Sequence, residues 1–158
     1  MRASPYLLVL FGLVFTACPP KKIPGTDIDD NDDTKAILAV IRKYRAAVEA
    51  RNPDALHMLC DPSFTDDGGS ALPDDDLDYD TLKTTLQRRL QHVTDVKLEV
   101  TVRRIEFDTD DKYARVTYSY QVSFKMPGYS SRTQSENDIK QMMLKRVADS
   151  EWKITSGI

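Results

Sequence analysis

The chain has 158 residues, 41% hydrophobic and 30% charged, with a formal net charge of -3. That is the length of one domain. Its bases are scattered singly, with no stripe interleaved with aromatic platforms, which excludes a nucleic-acid reader. Two cysteines and two histidines in no zinc-binding spacing give no reason to expect a metal centre or a cofactor.

Arg2 precedes Tyr6 to Phe15, an apolar run broken only by Gly12, and the small residues Thr16 and Ala17 lead to Cys18. This is the order of an export signal: a positive start, an apolar middle and a small-residue cleavage site. The run falls short of the ~20 apolar residues that a bilayer-spanning helix needs. Val14 to Cys18 resembles the lipobox of bacterial lipoproteins, with Phe15 where that pattern usually has Leu. The resemblance implies cleavage before Cys18, a diacylglyceryl group on its thiol and an acyl chain on its new amino terminus. Stable anchoring takes more than one such chain. Pro19 follows the cysteine. In lipoproteins an Asp there marks inner-membrane retention, so the resemblance implies an outer-membrane location in the cell envelope. The alternatives are an ordinary cleaved signal, with Cys18 a stray thiol, and a short N-terminal helix of a cytosolic protein.

Residues 1–17 are thus a signal peptide, 18–33 a lipidated acidic tether and 34–158 the folded domain. Cleavage would remove Arg2 and no acid, taking the net charge to -4. The tether, with three prolines, a glycine and five aspartates between 27 and 33, cannot bury a core and is expected to be extended and flexible. Asp27, Asp29 and Asn31 suggest a calcium loop, but Asp32 stands where such a loop needs Gly and Leu38 where it needs Glu.

Ile37, Ile41, Tyr44 and Val48 recur at helical spacing and predict a first helix over 34–50. Arg51 to Asp54 breaks it, and a short second helix follows over 54–60 with Leu56, Leu59 and Cys60 inward. If Cys18 is acylated, Cys60 has no intrachain partner, and its apolar setting predicts a buried thiol. Residues 61–80 hold eight aspartates and no base, a long loop that reads as a charged lid. Asp74, Asp76, Asp78 and Asp80 alternate there without matching a dedicated cation loop. A third helix runs from Asp80, its predicted cap, to Val93 along Leu82, Leu86 and Leu90.

From there the pattern has period two. Val96, Leu98, Val100 and Val102 share one phase and Ile105 and Phe107 the other, which an extra residue at Arg103-Arg104 would reconcile as a β-bulge. Ala114 to Phe124 alternates without a fault, Thr133 to Val147 alternates noisily, and Trp152 and Ile154 close the core. Three helices followed by four antiparallel strands predict an α+β fold, with the helices packed on one face of a curved sheet.

Tyr44 on the first helix, the break at Arg51-Asn52-Pro53-Asp54, the short helix around Leu56 to Leu59 and the final Trp152-Lys153-Ile154 strand together resemble the nuclear transport factor 2-like cone, the superfamily of ketosteroid isomerase. The resemblance covers residues 34–158 and implies a cavity at the wide end of the cone. Such a cone hosts enzymes, binding modules and assembly domains alike. It aligns Tyr44 with the isomerase's oxyanion donor and places Asp66 and Asp67 one or two residues from the isomerase's base, whose own position is Gly68 here. The second oxyanion donor has no counterpart: Leu144 is nearest and Asp138 is well away. Tyr118 and Tyr120 share the inward face of the strongest strand, where they serve as core or as a ligand platform.

The expectation is therefore a membrane-anchored, non-enzymatic envelope module. Tyr44, Asp66, Asp67, Tyr118 and Tyr120 are its candidate binding residues, and a small apolar ligand or another envelope protein its partner. The alternative is an isomerase- or hydrolase-like enzyme using Tyr44 with Asp66 or Asp67. Dimerisation across the open sheet face, a habit of the superfamily, is left open.

Overall fold

The computed structural model describes residues 21–67 and 76–158. The signal sequence, Cys18, Gly68 and Asp74 therefore lie outside the described residues. Among the described residues no helix is long and apolar enough to cross a membrane.

The first difference from expectation is at the tether. Residues 21–30 fold back on themselves: Asp30 N–H donates to Lys21 O at 2.6 Å and Ile23 N–H to Ile28 O at 2.8 Å, around Gly25 at φ +78°. Lys22 pairs with Asp29 and both Lys21 and Lys35 with Asp30, while Ile28 is buried. Opposite charges at the two arms of a glycine turn, with one isoleucine to bury, close what composition alone reads as extended spacer.

Helix α1 (Asp32–Glu49) starts two residues earlier than the periodicity predicts, because Asn31 caps it. Its side chain accepts from Thr34 N–H at 2.8 Å, and the Thr34 hydroxyl accepts from Asn31 N–H at 3.2 Å. Asp32 and Asp33 occupy the first turn, at the positive end of the helix dipole. Arg51, at φ +52°, reverses the chain, and Asn52 caps the short α2 (Pro53–Leu59). After it β1 (Thr65–Asp66) and β2 (Leu77–Asp78) form a small antiparallel pair inside the stretch read as loop. Helix α3 (Tyr79–Gln91) is capped by Asp78 rather than Asp80, with Thr81 completing the reciprocal pair.

Four antiparallel strands follow in sequential order: β3 (Thr94–Phe107), β4 (Tyr113–Met126), β5 (Ser130–Ala148) and β6 (Glu151–Ser156). The sheet is curved, and the α+β expectation holds. The register of β3 against β4 slips by one residue between Val102 and Arg104, the predicted bulge, so Val102 and Ile105 both face inward. Ile37 and Ile41 of α1 meet Val116, Leu144, Trp152 and Ile154 in the core. Fully burying one such side chain contributes about 1.5–3 kcal/mol.

Polar ties fix helix to sheet. The Arg146 guanidinium grips Asp33 through two bonds of 2.6 and 2.8 Å, stacks 4.6 Å from the Trp152 ring and donates from Nε to Asp111 O. At the other end of α1, Glu49 Oε1 accepts from Leu98 N–H at 3.0 Å, next to the irregular start of β3. Buried Asp61 accepts from Ser63 N–H and Oγ and pairs with Lys145 at 3.2 Å.

Candidate functional site

On the inward face of the sheet, beside the C-terminal half of α1, lies a cleft of about 200 Å³. Tyr44 and Val48 of α1 and Leu98 of β3 line it together with Tyr118, Tyr120 and Val122 of β4. Glu136 and Lys140 of β5 add the charged part of its lining. The strict alternation of β4 sends Tyr118, Tyr120 and Val122 to one face. Tyr44 and Val48, one helical turn apart, face them.

Burial pushes the Tyr44 hydroxyl up to about 12, with smaller contributions from Tyr120 and Cys60. Burial also raises Tyr118, helped by Tyr44, Tyr120 and Asp66. Tyr120 is raised by burial and then by the Asp138 and Glu136 carboxylates. All three phenols therefore stay protonated at neutral pH and can donate. Tyr118 donates to Gly157 O at 3.0 Å, whereas no protein group hydrogen-bonds the Tyr44 hydroxyl among the described residues. The Tyr118 and Tyr120 rings lie 6.4 Å apart at 47°. Lys140 Nζ lies over the Tyr120 ring, 5.7 Å from its centroid.

The two aspartates singled out from sequence are elsewhere. Asp66 and Asp67 line a separate open groove of about 990 Å³, with Asp76 and Asp78 on the same side and Arg89 and Lys140 also in its lining. Asp66 Oδ2 accepts from Gly157 N–H at 2.7 Å. Tyr118 and Asp66 thus hold the C=O and the N–H of one residue, Gly157, and Lys140 borders both spaces. Of the residues singled out from sequence, Tyr44, Tyr118 and Tyr120 come together in the cleft. Asp66 meets Tyr118 at Gly157 and acts electrostatically on it, and Asp67 lines the groove. Asp138 lies opposite Tyr120 in the β4–β5 register, and Leu144 is fully buried core.

Glu136, Lys140 and Gly157 were not legible as site residues. Polar residues at inward positions of β5 read as noise in a strand pattern, and that irregularity was the available signal. Cys60 is buried, as its neighbours predict, with its thiol pushed up to about 12 by burial despite Lys153. Among the described residues no group of acidic, His or Cys side chains could hold a metal ion.

No family model and no curated protein matches the chain. Solved structures do. A ketosteroid isomerase-like protein from Erwinia carotovora atroseptica superposes with a TM-score of 0.65 at 12% identity, covering 81% of this chain and 95% of the other. A candidate scytalone dehydratase from Novosphingobium aromaticivorans gives 0.63 at 16%, covering 79% and 80%. A candidate calcium/calmodulin-dependent protein kinase II association domain from Xanthomonas campestris gives 0.63 at 13%, covering 89% and 94%. At such identities the likeness speaks for the fold and not for the chemistry. The chain has the nuclear transport factor 2-like cone fold.

Proposed function

We propose that this protein is a lipid-anchored cell-envelope module that holds a small, largely apolar molecule in the tyrosine-lined cleft and performs no bond chemistry on it. The observation that carries the reading is the separation of Tyr44 from Asp66 and Asp67. The Tyr44 hydroxyl faces a cleft walled by Val48, Leu98 and Val122, while Asp66 and Asp67 line the groove and Asp66 is engaged by the Gly157 N–H. A general base must come within hydrogen-bond reach of the proton it removes. Preorganised donors around one developing charge supply most of the rate in such sites. Here one phenol of the cleft is turned to Gly157, neither Asp66 nor Asp67 lines the cleft with Tyr44, and Glu136, the one carboxylate among the described residues that line it, is solvent-exposed. The anchor is part of the proposal and rests on Val14 to Cys18.

Two measurements test it. Intact mass and membrane partition of the native protein, with and without Cys18→Ser, should show an acyl mass shift that the variant loses; a wild-type chain free of lipid ends the anchoring proposal. Binding of a neutral apolar fluorophore such as N-phenyl-1-naphthylamine should be abolished by Val48→Trp, which fills the cleft. Equal binding by the variant rules the cleft out. A second reading, an isomerase- or dehydratase-like enzyme, is favoured only by the neighbours' names. It predicts turnover that Tyr44→Phe and Asp66→Asn each remove.

A further inference from the structure

We infer that the ligand held by the cleft is a small organic cation, an alkylated ammonium with an apolar body, seated in the corner between the Tyr118 and Tyr120 rings and drawn in by Glu136 and Asp138. This rests on the binding reading above and narrows it to one chemical class.

Tyr118 and Tyr120 leave the same face of β4, and their tilted rings make a corner rather than a stack. Tyr44 adds a third ring from α1. The face of an aromatic ring carries negative charge density, and converging faces in a partly dry cleft are the setting in which ammonium groups bind best. The site already shows this preference. The exposed Lys140 side chain makes no ion pair among the described residues, and its ammonium lies over the Tyr120 ring. It behaves as a built-in occupant on a flexible stem that a better-fitting cation can displace.

The surrounding charge points the same way. Asp138 and Glu136 lie opposite Tyr120 and Val122 in the register, and both act electrostatically on the Tyr120 hydroxyl. Lys140 is the only base among the described residues that line the cleft. Once it swings out, the lining presents aromatic faces and the Glu136 carboxylate, with Asp138 opposite Tyr120 in the register. An anion would be repelled there, and a neutral molecule would leave the two acids unused. A ring corner also suits alkylated nitrogen better than a primary amine, because its methyl groups complement rings and apolar walls while its charge is diffuse.

The test uses choline, its neutral isostere 3,3-dimethyl-1-butanol and the anion 3,3-dimethylbutanoate. Each is titrated at low salt by NMR, following the tyrosine ring resonances of the wild type, Lys140→Ala, and Glu136→Gln with Asp138→Asn. All three substituted positions are exposed, so the fold should survive, and circular dichroism checks this. Choline should bind more tightly than its isostere by about fivefold or more, in keeping with a desolvated cation–π site. Lys140→Ala should tighten choline binding, the double variant should weaken it, and dimethylbutanoate should not bind. If the neutral isostere matches or exceeds choline in Lys140→Ala, the cationic class is overturned while the cleft reading stands. If neither compound binds and the apolar fluorophore is also indifferent to Val48→Trp, both are overturned.

Discussion

The Tyr118 hydroxyl donates to the carbonyl oxygen of Gly157 at 3.0 Å, across 39 residues of sequence. That bond takes a cleft phenol into the structure of the C-terminal strand end. With Asp66 accepting from the N–H of the same glycine at 2.7 Å, it joins the β1–β2 pair, β4 and the end of β6. Tyr118→Phe keeps the ring and leaves Gly157 O without its donor. The expected loss is about 1 kcal/mol, read as a lowered urea midpoint with an unchanged slope. An unchanged midpoint would show that water replaces the hydroxyl at no cost.

Gly157 itself admits no side chain. Its φ is +89°, and a Cβ there would overlap Gln141 O and lie 2.8 Å from Met142 Cα, both backbone atoms of β5. Gly157→Ala should destabilise the domain by about 1–3 kcal/mol, the range for a residue forced into a sparsely populated backbone region. Faster amide exchange at Ile154 to Ser156 should accompany the loss. Wild-type exchange in the variant would mean that the end of β6 bears no load.

The Asp33–Arg146 contact predicts a pH dependence. The hydrogen-bonded guanidinium outweighs the cost of burial and, with Trp152 Nε1, holds the Asp33 carboxyl below its ordinary value of 3.8. A carboxylate with a depressed folded-state pKa stabilises fully above its unfolded value, and that stability is lost as pH falls through the folded one. Stability should therefore decline from about pH 4 downward. In Asp33→Asn that decline should be shallower and stability at pH 7 lower. Trp152, the one tryptophan, stacks on Arg146, so its fluorescence follows this corner during denaturation. Identical slopes for the two proteins would remove Asp33 from the account. Asp61 shares the direction: burial opposes its charge, but the Ser63 bonds and Lys145 prevail.

Cys60 should be silent in the native state. It is 3% exposed, its Sγ lies 3.5 Å from Leu56 O, and its thiol is pushed up to about 12. The thiolate is the reactive form. A maleimide at pH 7 should leave Cys60 untouched in folded protein and label it in 6 M urea, as peptide mapping would show. Labelling at the rate of an exposed thiol would contradict the packing.

The strands and bulge were legible because their evidence is local. When Val102 gives way to Ile105, the apolar phase flips, and an extra residue is the one way to keep both on a single buried face. The Ile37, Ile41 and Tyr44 spacing gave α1 for the same reason. The start of that helix was not legible. Five aspartates in seven residues read as solvated spacer, whereas Asn31 and Thr34 exchange hydrogen bonds and Ile28 packs down beside them. Asp78 displaced Asp80 as the α3 cap because Thr81 answers it reciprocally, a choice between two equivalent acids that needs atomic geometry. The two-residue strands β1 and β2 are too short to carry a period.

Sequence by itself determined the α+β order, the inward face of β4 and the three tyrosines, since a period of two or 3.6 sorts side chains before any long-range contact forms. Only the tertiary structure decided which polar groups share a space. Asp66 was drawn to Gly157 rather than Tyr44, and Lys140 came to rest over Tyr120, because β5, β6 and the end of α1 must first dock before their side chains have neighbours. Partners 39 and 91 residues apart leave no trace in a local pattern; closing such loops and burying the core between them is what brings the groups together.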